Sequence, residues 1–116
     1  MNRDEIREAI NSYDKGRNPA KVAENKRRLL QTVAFNNYNG WSNWDTWETN
    51  NWLESMEISS VYTNRIKQPY TLGASIIQAI TRINRKQRGD YPEGYIDLDS
   101  VDFIDILETV LECKEE

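Results

Sequence analysis

The sequence predicts an all-α fold, a single compact domain of five or six helices opening with an N-terminal helical hairpin. Three observations lead there. Apolar residues recur at i, i+3, i+4 and i+7 in several separate segments. Glycine, proline and asparagine punctuate the chain between those segments. No run alternates apolar and polar residues as a half-buried strand does. The 116 residues suffice for one modest core, and no repeat is visible.

In the first segment, Arg3 to Tyr13, the residues Ile6, Ala9, Ile10 and Tyr13 share one helical face, and Gly16 supplies a stop. Asn18-Pro19 reads as an N-cap followed by proline in the first turn. The second helix is expected to run to Phe35, with Val22, Ala23, Leu29, Leu30, Val33 and Ala34 on one side. Together these form the hairpin at 1–36, and residues 37–116 complete the same folding unit. Asn36 to Gly40 is a loop by composition. Asn43 or Ser42 then caps a tryptophan-rich helix. A short helix carries Val61, Tyr62 and Ile66, and Pro69 ends it. Thr71 caps a long helix with Leu72, Ile76, Ala79, Ile80 and Ile83 as its stripe. After a loop at Asp90 to Ile96, Asp99 or Ser100 caps the last helix, with Asp102 in a box-like position. Its apolar side holds Phe103, Ile104, Ile106, Leu107, Val110 and Leu111.

All four tryptophans, Trp41, Trp44, Trp47 and Trp52, fall in or beside the third of these helices. A buried indole removes roughly 150–250 Å² from water, and the chain has only two phenylalanines. The expectation is therefore that these rings form the structural core. A base-stacking platform is disfavoured, because Asp45, Glu48, Glu54 and Glu57 surround them without a single lysine or arginine between 41 and 60.

The same stretch, N-G-W-S-N-W-D-T-W-x-x-x-x-W-L from Asn39 to Leu53, resembles the signature of a family of small uncharacterised proteins of phages, plasmids and bacterial genomes. Val101 to Leu107, V-D-F-I-D-I-L, is similar to that family's V-D-W-x-E-I-A. The likeness covers roughly 37–113. It implies a mobile-element origin and no particular activity. Where the family places small apolar residues between its last two tryptophans, this chain has Glu48-Thr49-Asn50-Asn51, a polar run expected to reach an interface.

Composition narrows the chemistry. Histidine is absent, which removes imidazole bases, triads and most transition-metal sites. Cys113 is the single cysteine, so no internal disulfide forms and a reducing cytoplasm is expected. The charged N-terminus MNRDEIREAI has no signal-like apolar region, and no apolar run is long enough to span a membrane. The D-x-D spacing of Asp97-Leu98-Asp99 lacks the glycine and glutamate of a calcium loop. No phosphate-binding or nucleophile-elbow motif occurs. Neither a metal, a cofactor nor a catalytic residue is expected.

Charge is segregated along a chain of net −4. Residues 61–89 hold Arg65, Lys67, Arg82, Arg85, Lys86 and Arg88 and no acid, while 90–116 hold ten acids against Lys114. Such blocks either pair internally or present faces of opposite sign.

The leading expectation is a non-enzymatic accessory protein that binds and modulates a host protein. It would use the acidic stripe Asp102, Asp105, Glu108 and Glu112 together with Glu48, Asn50 and Asn51, in the manner of a DNA-mimicking counter-defence inhibitor. The second is a nucleic-acid-binding regulator using Arg82, Arg85, Lys86 and Arg88. The third is a structural subunit self-associating, as a homodimer, through the 1–36 hairpin.

Overall fold

The structure, a computed structural model, describes the backbone of residues 2–55, 68–87 and 95–115, and the side chains of 2–54, 68–85 and 95–111. Five α-helices occur among the described residues: α1 Arg3–Asn11, α2 Pro19–Leu29, α3 Trp44–Ser55, α4 Pro69–Gln87 and α5 Phe103–Glu115, with a 3-10 turn at Leu98–Ser100 before α5. No strand is present among them, so the fold is all-α. The proposed short helix around 61–66 and most of the loop at 90–96 lie outside the described residues.

Local chemistry sets the helix ends. Asn2 and Glu5 form a reciprocal capping box on α1. Asn18 caps α2, with Pro19 in its first turn, as the sequence suggests. The second helix is shorter than expected. It ends at Leu29 rather than Phe35, and Phe35 stands in irregular chain, 70% exposed. Gln31 diverts this segment: its Nε2 donates to the carbonyls of Leu98 and Val101 at 2.8 and 2.9 Å. Pro69 opens α4, so Thr71 lies inside the helix rather than capping it, since proline suits the first helical turn. Gly16 lies in the loop after α1, whose C-cap is Ser12.

The core joins all five helices. Ile6 and Ile10 of α1, Leu29 of α2, Leu53 of α3, Leu72, Ile76, Ile77 and Ile80 of α4, and Phe103, Ile106 and Leu107 of α5 are buried in one cluster. The stripes read from the sequence on α4 and α5 are the buried faces of those helices. α1 packs against α5 and α4, so the first two helices share the core with the rest. Gly73 permits the close approach of α2 and α4: a Cβ there would lie 2.6 Å from Leu29 Cδ2.

The tryptophans correct the expectation. None belongs to the buried core; all four are half-buried. Trp41 and Trp52 pack against its edge, while the Trp47 ring stands edge-on to Tyr38 at 5.2 Å. The buried face of α3 is Thr46, Thr49, Asn50 and Leu53, at i, i+3, i+4 and i+7. Helical spacing is therefore present in α3, but three of its four inward positions are polar.

Candidate functional site

Burying a polar face requires partners for every donor and acceptor, and α3 itself, its cap, the 3-10 turn and the cap of α5 supply them. Asn43 caps α3. Its Oδ1 accepts from the Thr46 N–H at 2.9 Å and from the Thr46 hydroxyl at 2.8 Å, while its Nδ2 donates to the Ser100 carbonyl at 2.6 Å. The Thr46 Oγ1 in turn accepts from the Asp102 N–H at 2.9 Å. Asp102 is itself the cap of α5, its Oδ1 accepting from the Asp105 N–H at 3.2 Å. The caps of the two helices are thus bonded to each other. Thr49 is satisfied within α3, donating to the Asp45 carbonyl at 2.8 Å. Asn50 donates to Glu54 Oε1 at 3.2 Å.

The segment leading into α3 adds a second layer. Tyr38 and Trp41 exchange two backbone hydrogen bonds of 2.8 Å. Between them Asn39 and Gly40 take φ values of 49° and 86°, the two left-handed positions of a type I′ turn that favours Asn-Gly. This turn aims Ser42 at α5, where its hydroxyl lies 2.8 Å from Asp102 Oδ2 and 3.1 Å from Asp105 Oδ2. From α1, the Arg3 guanidinium reaches Asp102 at 3.3 Å, Asp105 at 3.7 Å and Glu108 at 3.9 Å.

The acidic stripe is therefore largely an internal one. Asp102, Asp105 and Glu108 converge on Arg3 and Ser42, and Asn50 is buried rather than presented to a partner. Glu48 and Asn51 are half-buried on the outer side of α3. The side chains of Glu112, Lys86 and Cys113, and all of Arg88, lie outside the described residues. Arg82 and Arg85 are exposed on α4. No group of three or more Cys, Asp or Glu side chains is placed to hold a metal ion among the described residues.

Asp45, at the start of α3, has its carboxyl pushed above the usual range by burial. The nearby Asp97 charge pushes the same way, whereas the Asp97 N–H, bonded to Asp45 Oδ1 at 3.0 Å, opposes it.

Between α1, the start of α5 and the segment joining α2 to α3 lies a cleft of about 410 Å³, lined by Ser42, Asp102, Asp105, Arg3, Arg7, Val33 and Phe35 among others. It offers cations, carboxylates and an exposed aromatic ring at one place, suited to binding a mixed polar and apolar group. The sequence reading missed Arg3, Arg7 and Phe35. Their nearest signal was the lone Phe35 beyond the last periodic residue of α2, an aromatic without a helix to bury it.

Comparisons of the chain with protein-family models, with curated proteins and with solved structures find no match.

Proposed function

We propose that the chain is a non-enzymatic accessory protein of a phage or related mobile element that binds and modulates a host protein in the cytoplasm, with counter-defence as the biological setting. The observation that carries the binding site is the cleft lined in part by Phe35, 70% exposed. An exposed aromatic ring beside a concave surface can serve as a contact anchor. The contact moves from the outer face of α5 to this cleft, because the α5 carboxylates are engaged by Arg3 and Ser42. An apolar side chain of the partner would lie against Phe35 and Val33, with a carboxylate toward Arg7. The mobile-element setting rests on the resemblance of the two motif segments.

Affinity capture from host lysate with the wild-type chain and with Phe35→Ser tests this reading. Phe35 is exposed, so the variant is expected to fold normally by circular dichroism. The wild type should retain a protein that the variant releases. Identical sets of captured proteins on both would contradict the cleft as the contact.

A further inference from the structure

A second concave surface lies on α2 and α4 and shares no residue with the cleft. Leu29 meets Gly73 at one end of this helix pair, while at the other Lys21 lines a cavity with Arg82 and Arg85. The cavity measures about 310 Å³, with Ala74 and Ile77 among its lining residues and Asn25, Gln78 and Thr81 as polar ones. A neighbouring depression of about 220 Å³ shares Thr81 and Arg85 and adds Asn84, Tyr95 and Leu98. The two adjoin at Thr81 and Arg85 of α4, and Tyr95, which lines the second, is 47% exposed.

The charge of this surface is of one sign along α4, whose nineteen residues from Pro69 to Gln87 include no acid. Arg82 and Arg85 form no ion pair among the described residues, and the nearest carboxylate to Lys21 in a pair is Glu24 at 3.9 Å, itself half in water. Asn84 fixes the position of Tyr95's neighbour: its side chain exchanges bonds of 2.8 and 2.9 Å with the Ile96 backbone. The backbone next to Tyr95 is thus fixed to α4 by a buried amide.

We infer that this surface binds single-stranded nucleic acid, its phosphates held by Lys21, Arg82 and Arg85 and one base stacked on Tyr95. Cations together with an exposed aromatic make the arrangement by which single strands are held without sequence readout. The net charge of −4 opposes binding at long range and confines it to low ionic strength. This inference is independent of the proposed protein contact.

Fluorescence anisotropy with labelled twelve-nucleotide oligo(dT), oligo(U) and a DNA duplex tests it, at about 20 mM and about 200 mM salt, on the whole chain. Binding to the single strands should exceed binding to the duplex and fade as salt rises. The double variant Arg82→Gln/Arg85→Gln should lower the magnitude of the salt slope by about 1.4, close to 0.7 per lost phosphate contact. Tyr95→Leu should weaken binding roughly 5- to 150-fold with the slope unchanged. Comparing the dT and U arms then tells DNA preference from RNA preference. Absence of single-strand binding at low salt, equal affinity for the duplex, or an Arg82→Gln/Arg85→Gln variant that binds as the wild type would each overturn the inference. So would equal displacement by polyglutamate, which would reduce the site to a general anion surface. Circular dichroism on each variant separates loss of the site from loss of the fold.

Discussion

Helices α3 and α5 meet at one interface, yet they bury opposite kinds of side chain. On α5 the inward residues are Phe103, Ile104, Ile106, Leu107, Val110 and Leu111, and hydrophobic burial at roughly 25 cal/mol per Å² accounts for its position. On α3 the inward residues are Thr46, Thr49, Asn50 and Leu53, and its half-buried indoles sit at the rim. What orients α3 is hydrogen bonding: Asn43 to Ser100, Thr46 to Asp102 and Ser42 to Asp102 and Asp105. Removal of water stabilises one helix without specifying a register. The other also buries Leu53 and part of its indoles, but its polar bonds close only in one register.

That contrast can be sharpened by substitution. The largest effect is expected on the apolar side. Leu107→Ala deletes a fully buried side chain of the core and should cost about 2–5 kcal/mol in denaturant unfolding. A loss under about 1 kcal/mol would mean that the core is loosely packed around α5.

A smaller effect, of opposite sign, is expected at the start of α3. The folded-state pKa of Asp45 lies above its unfolded value, chiefly through burial. Protonated Asp45 therefore favours the fold, and that contribution is lost as pH rises through the folded pKa. Asp45→Asn remains neutral and keeps an acceptor for the Asp97 N–H. Its melting temperature should exceed that of the wild type at pH 7. The gap should close as pH falls below about 3.9, where the wild-type carboxyl is protonated in both states. A gap independent of pH would show that Asp45 ionisation is not what separates the two proteins.

Legibility in the sequence followed the same division. Ile76, Ala79, Ile80 and Ile83, or Phe103, Ile106 and Leu107, are apolar at helical spacing, and the faces they form are the buried ones. In α3 apolar residues are spread around the whole helix. The largest hydrophobes pointed to the wrong face, because the size of an indole says nothing about which partners its neighbours find. The inward polar residues are recognisable only once Ser100 and Asp102, more than fifty positions away, are known to face them. Asn39-Gly40 did carry a local signal, since two successive left-handed residues make a type I′ turn, but a loop assignment passes over it. The end of α2 was lost for a similar reason, as Gln31 is drawn off by carbonyls of Leu98 and Val101. Of the candidate site, the carboxylates Asp102, Asp105 and Glu108 were visible as a stripe, whereas their shared partner Arg3 lies ninety-nine residues from Asp102. The cationic residues Arg82 and Arg85 were visible as a run, and Lys21 and Tyr95 joined them only through the packing of α2 and the position of Ile96.

The polar seam between α3 and α5 is tested most directly by Thr46, which is fully buried and whose hydroxyl both donates to Asn43 and accepts from Asp102. Thr46→Val keeps the shape and adds apolar character, so a seam held by burial alone would tolerate it or gain from it. Urea unfolding of Thr46→Val beside Thr46→Ser decides the matter. The account predicts a loss of about 1–3 kcal/mol for valine, chiefly from the Asp102 N–H left unpaired, while Asn43 Oδ1 keeps its bond from the residue 46 N–H. It predicts a smaller loss for serine, which keeps the hydroxyl. A valine variant as stable as the wild type, or more stable than the serine one, would contradict it.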